Sequence, residues 1–68
     1  MTGYELGDMI KKRRKSLNIK QQDLSEITGV SMHTLSNIET GKGNPTFQAV
    51  NQILDVLGLD FSIIIKGI

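Results

Sequence analysis

Leu17 to Thr46 reads LNIKQQDLSEITGVSMHTLSNIETGKGNPT, and the fold is decided here. Between Lys20 and Thr28, Leu24 and Ile27 recur at helical spacing, and Gly29 then stops the helix as a left-handed residue would. Val30 reads as a buried turn residue. Ser31 is a suitable cap for a second helix, whose inward positions are Leu35 and Ile38 and whose end is Gly41. The segment KGNP, Lys42 to Pro45, is loop. Only TGVS separates the two helices, so they must cross closely through a turn that contains a glycine.

Outward from this pair the helical pattern continues on both sides. Leu6, Met9, Ile10 and Leu17 predict a helix from about Glu5 to Ser16. Thr46 is placed to cap another with Phe47, Val50, Ile53, Leu54 and Leu57 on one face, closed by Gly58. There is no internal repeat and no low-complexity tract. The expected fold class is mainly α, a four-helix body forming a single domain over residues 1–68, with one short strand at residues 59–68.

The spacing of the central pair is that of a helix-turn-helix. Ser25 is small where the helices cross, Gly29 can adopt positive φ, and Leu24, Val30, Leu35 and Ile38 fix the interhelix angle. Such a unit leaves the outer face of its second helix free to enter a major groove about 12 Å wide. That face carries Met32, His33, Ser36 and Asn37. Asn can pair bidentately with adenine, Met can touch a thymine methyl, and His can donate to a guanine acceptor. An ordinary solvated helix surface is the competing reading.

Gln21-x-x-Leu24-Ser25, then Gly29-Val30-Ser31, then Leu35-Ser36-x-Ile38-Glu39-x-Gly41 resembles the Cro/CI-type (xre-like) helix-turn-helix family of bacterial and phage regulators. The likeness extends from Ile10 to Leu57, with one departure: at Ile27-Thr28 the family usually has a polar residue followed by an apolar one. The resemblance implies a lambda-repressor-like fold and a DNA contact for Gln21, against the alternative that Gln21 only supports its helix N-terminus. It implies an ion pair between Arg14 and Glu39, although the helical wheel puts Arg13 nearer the centre of the apolar stripe. It also implies sugar-phosphate contacts by Lys42 and Asn44, with Gln22, Thr34, Lys12 and Arg13 as further backbone candidates. Backbone contacts position a protein without reading sequence.

Composition removes most other classes. A chain of 68 residues is one domain, and at this size folding hides only about 60% of the unfolded surface, so added support from another subunit, a ligand or good packing is expected. It has no cysteine, which excludes disulfides, Cys-ligated zinc and thiol catalysis. The one histidine, His33, has no second histidine or cysteine with which to form a nucleophile-base pair or a metal site. No glycine-rich run follows a strand and opens a helix. No enzyme, no cofactor and no metal is therefore expected. With no signal-peptide pattern and no apolar run of membrane length, the expected location is cytoplasmic, at the nucleoid.

The net charge of +1 conceals an asymmetry. Six cations against two carboxylates give residues 1–20 a charge of +4, and two against five leave −3 on the rest. A basic segment of this kind can mark a phosphate-facing surface, and equally a solvated helix face.

The final residues, LDFSIIIKGI, are β-branched between Gly58 and Gly67 and read as a strand. A lone strand leaves its backbone groups unpaired, so its partner is expected from a second copy, antiparallel about a two-fold axis. The expected dimer interface is Phe61, Ile63, Ile64 and Ile65. Phe61, Ile63 and Ile65 should pack on the helical bodies, while Ile64 shares the more exposed face with Ser62 and Lys66. Two such units would read half-sites about 34 Å apart on a palindromic operator in double-stranded DNA. No effector domain is expected. A short helix-turn-helix followed by one dimer strand is similar to the HipB-like antitoxins, which implies autorepression and a HipA-like kinase toxin as partner. The alternative is an interaction module that kept the fold and does not bind DNA.

Overall fold

The computed structural model describes residues 1–67. Helix α1 spans Gly3–Ser16, α2 Gln21–Thr28, α3 Met32–Glu39 and α4 Phe47–Leu57. The boundaries follow from local hydrogen bonding at each end. α1 starts two residues before the predicted Glu5 because Thr2 and Glu5 form a reciprocal cap. The Thr2 hydroxyl accepts from the Glu5 amide at 3.1 Å, and the Glu5 carboxylate accepts from the Thr2 amide at 3.3 Å. Ser31 and Thr46 cap α3 and α4 by accepting from the Thr34 and Ala49 amides.

Besides α2, which ends on Gly29, the three other helices end on a residue with positive φ: Asn18 at 57°, Gly41 at 74° and Gly58 at 71°. Each reversal aims the next two amides back at the last turn, as where Gly41 donates to the Ile38 carbonyl and Lys42 to that of Asn37. Gly29, at φ 77°, supplies the turn between α2 and α3.

The core lies among the four helices and consists of Ile10, Leu24, Val30, Leu35, Ile38, Val50, Ile53, Leu54 and Leu57. The α1–α3 crossing is unusually close. A methyl group added at Gly7 would collide with the Ile38 carbonyl oxygen and lie 2.9 Å from the Glu39 carbonyl carbon. This is why a helix breaker occupies the middle of α1. Gly41 meets the same helix one turn earlier, where a Cβ would lie 2.7 Å from the Tyr4 Cα.

Several residues expected to face inward do not. Met9, Leu17, Ile27 and Phe47 are exposed. At the end of α2 the inward position belongs to Thr28 instead of Ile27. Its hydroxyl donates to the Leu24 carbonyl at 2.7 Å and accepts from the Val30 amide at 3.2 Å, so a polar side chain is satisfied where an aliphatic one would sit. Phe47, the first residue of α4, stacks on Phe61 with ring centroids 5.7 Å apart. Phe61 follows the end of α4, and this contact at its start shows that the tail doubles back along the helix.

The strand expected over residues 59–68 is absent: there is no β-strand among the described residues, and Ile68 lies outside them. A strand exists through hydrogen bonds to a neighbour, and this single chain provides none to pair with. Leu59 still packs on the core, with its amide donating to the Leu54 carbonyl at 2.9 Å. Beyond Phe61, Ile63 is 96% exposed, Ile64 81% and Ile65 76%, so Ile63 and Ile65 do not pack on the helices of their own chain. Among the described residues no helix is long and apolar enough to cross a membrane.

Candidate nucleic-acid interface

α3 is amphipathic in a particular sense. Leu35, Ile38 and Glu39 are buried, whereas Met32, His33 and Ser36 are exposed and Asn37 is half-buried. An inward helix surface ordinarily carries no charge, and Glu39 is tolerated because its carboxylate is fully bonded. Arg14 Nε donates to Glu39 Oε2 at 2.7 Å and Arg14 Nη2 to Oε1 at 2.9 Å, a two-pronged pairing from α1. Gln21 Nε2 donates to Oε1 at 3.1 Å from the start of α2. Arg14 Nη1 donates to the Ile19 carbonyl at 2.8 Å. One carboxylate thus ties α3 to both α1 and α2. The hydrogen bond to Glu39 raises the Arg14 guanidinium above its ordinary value; burial opposes this, and the attraction of the opposite charge adds to it.

The turn is bonded just as closely. Ser25 Oγ donates to the Val30 carbonyl at 2.6 Å, so the small residue at the crossing also closes the turn. With both ends fixed, the outer face of α3 is presented as a rigid surface. On it Asn37 Nδ2 lies 3.4 Å from His33 Nε2, one helical turn apart.

The remaining site residues fall in three places. Thr34 and Asn44 line one open cleft of about 460 Å³ between the α2–α3 turn and the start of α4, beside Ser31, Thr46 and Gln52. Lys42 is exposed in the loop after α3, its amide fixed on Asn37. Gln22 is exposed on α2, with its amide 3.5 Å from Glu26 Oε1.

The basic segment of α1 is partly committed inside the fold. Arg14 belongs to Glu39, Arg13 Nε donates to the Leu57 carbonyl at 2.9 Å and so closes the end of α4, and Lys12 pairs with Asp8 at 2.9 Å. Arg13 therefore serves a helix terminus here.

Comparison with known proteins agrees with this geometry. The helix-turn-helix family model matches residues 10–64. The chain belongs to the Cro/CI-type (xre-like) helix-turn-helix family. It is 31% identical over 64 residues to the ImmF control region 10 kDa protein of Bacillus phage phi105, covering 94% of this chain and 71% of that protein. It is 29% identical over 66 residues to an uncharacterized HTH-type transcriptional regulator, y4mF, of Sinorhizobium fredii (strain NBRC 101917 / NGR234), covering 97% and 87%. A third similar protein is the SPbeta prophage-derived uncharacterized HTH-type transcriptional regulator YonR of Bacillus subtilis (strain 168), 26% identical over 61 residues, covering 90% of this chain and 56% of that one.

Within this helix-turn-helix chain, sequence reading missed three supports of the site: Gly7, Gly41 against Tyr4, and the Gln21 amide on Glu39. Gly7 had a signal, because a glycine inside a helical pattern costs about 1 kcal/mol and calls for a packing reason. The Gln21 contact had none, since residues 18 positions apart meet only through the tertiary fold.

Proposed function

We propose that the chain is a sequence-specific DNA-binding transcriptional regulator that acts as a homodimer on a palindromic operator. The observation that carries this reading is the split of α3. Its inner face is locked by Arg14, Gln21 and the core, and its outer face offers Met32, His33, Ser36 and Asn37 at the spacing of base-edge contacts. Lys42, with Thr34 and Asn44 at the nearby cleft, takes the sugar-phosphate backbone, and Gln22 and Lys12 add to it. Gln21 supports the site by holding Glu39. This is a binding role, without chemistry of its own, and it places the protein with DNA in the cytoplasm.

Repression is the sense we infer, supported by likeness to a phage protein named for a control region. Dimerisation is supported by the uncovered isoleucines Ile63, Ile64 and Ile65, which a two-fold antiparallel pairing of tails would cover. An autorepressing antitoxin with a HipA-like partner is compatible with the same dimer, although the regulator reading does not require a toxin.

Selection of binding sites from a random duplex pool tests the proposal. An enriched palindrome with half-site centres about one helical turn apart is expected. A pool that stays random, with no duplex retained at physiological salt, would leave the interaction module as the better description.

A further inference from the structure

We propose that the tails of two copies pair in a single register, with the two-fold axis at Ile63, and that this register seats the partner's Ile65 in an apolar groove between α1 and the start of the tail. The inference rests on the homodimer reading and assigns its contacts. The groove, of about 400 Å³, is walled by Leu6 and Met9 of α1, Leu54 of α4, and Leu59 and Phe61 of the tail. Leu6 packs against the core, whereas Met9 is 50% exposed and has no cover on its outer side. Just beyond Phe61 the same chain leaves Ile63, Ile64 and Ile65 uncovered. The groove is thus continuous with the surface that dimerisation covers, and a second copy brings to it a tail of matching chemistry.

The residues themselves select the register. In an antiparallel pair, directly opposite side chains share a face, and symmetry makes every pair occur twice. An axis at Ile63 sets Phe61 against the partner's Ile65, Ser62 against the partner's Ile64 and Asp60 against the partner's Lys66. An aromatic ring then meets a β-branched side chain on one face, and opposite charges meet on the other, both of them favourable cross-strand pairs. Moving the axis by one residue loses both. An axis at Ser62 sets Lys66 against the partner's Gly58 and Asp60 against the partner's Ile64. An axis at Ile64 sets Phe61 against the partner's Gly67 and Ser62 against the partner's Lys66. Because Phe61 lines the groove, the side chain opposite it is the one delivered there. The Asp60 carboxylate, which accepts from the Phe61 amide at 3.0 Å, stands at the edge of the same groove.

The chain has no cysteine, so introduced ones report the register. Opposite residues of an antiparallel pair lie about 4.5–5.5 Å apart at Cα, within the span of a disulfide, and diagonal ones about 7–8 Å apart, beyond it. With the full chain in a glutathione redox buffer, Ile63→Cys is expected to link dimers. Ser62→Cys and Ile64→Cys should each link poorly alone and well when mixed. Stronger linking by either of those two alone would overturn the register. Dimer dissociation constants from equilibrium ultracentrifugation test the groove. Met9 and Ile65 are both exposed within their own chain, so Met9→Ala and Ile65→Ala leave the helical body folded. Each is expected to weaken the dimer about tenfold. The double variant should lose less than the product of the two, because both changes remove the same contact. Losses that multiply, or a Met9→Ala dimer as tight as the wild type, would overturn the seating of Ile65 while leaving the dimer. A wild-type monomer that no cysteine links would overturn the homodimer reading, and this inference with it.

Discussion

At the scale of single residues, the site depends on one buried carboxylate. Arg14→Ala strands Glu39, and loss of one partner of a buried pair costs about 3–5 kcal/mol. Arg13→Ala removes one hydrogen bond to the Leu57 carbonyl at an exposed position and is expected to cost about 1 kcal/mol. Urea denaturation of the two variants checks the order, and a larger loss for Arg13→Ala would contradict it. Because the hydrogen bond to Glu39 raises the Arg14 guanidinium, the stabilisation is fully present below the ordinary arginine range and is lost only as pH rises through the raised value. Alkaline titration short of that range should leave the pair intact. The pair could be anticipated only through family likeness, since periodicity favours Arg13; the geometry shows why, for each arginine has a separate duty at a different helix.

At the scale of elements, the two glycines of α1–α3 and α2–α3 act by different physics. Gly7→Ala adds a good helix former, worth about 1 kcal/mol in isolation. Its methyl group meets the backbone of Ile38 and Glu39, however, and overpacking of this kind costs about 1–3 kcal/mol. The net effect on melting temperature should be a decrease. At Gly29 a Cβ meets nothing within 4 Å, so Gly29→Ala carries only the left-handed backbone cost of about 1–2 kcal/mol. Thermal unfolding with DNA titration separates the two: Gly7→Ala should disturb the seat of α3 and weaken DNA binding, and Gly29→Ala should lower stability alone. Four helices were legible because caps and stops are local: Ser31, Thr46, Gly29, Gly41 and Gly58 announce themselves. Faces were less legible. Ile27 and Phe47 satisfy the helical period yet stay outside, because a hydroxyl with two local partners and the limits of a first helical turn are decided by three-dimensional packing.

At the scale of the whole molecule, the tail carries the uncovered apolar surface in Ile63, Ile64 and Ile65. A chain of this size has a thin core, and three adjacent isoleucines left in water are a cost that pairing with a second copy would remove. If each tail hides about 300 Å² of apolar surface, the gross gain is about 15 kcal/mol per pair before association entropy. Ile63→Asp should therefore give a monomer in equilibrium ultracentrifugation at micromolar concentration, with operator affinity reduced because the linked second half-site is gone. A wild-type monomer would show that the tail has another occupant. The strand expected from composition is absent among the described residues, because a strand is made by hydrogen bonds to a neighbour and one chain offers none there.

The claim on which all of this depends is that α3 reads bases while the loop after it holds phosphates. Fluorescence anisotropy with a selected site and a scrambled duplex, measured across salt concentrations, tests it directly. Asn37→Ala should weaken binding by about 1–3 kcal/mol on the selected site and hardly at all on the scrambled one. Lys42→Ala should weaken both alike and lower the salt slope by roughly one, because one phosphate fewer is neutralised and its counterion stays on the duplex. Equal weakening by Asn37→Ala on the two duplexes would contradict the account.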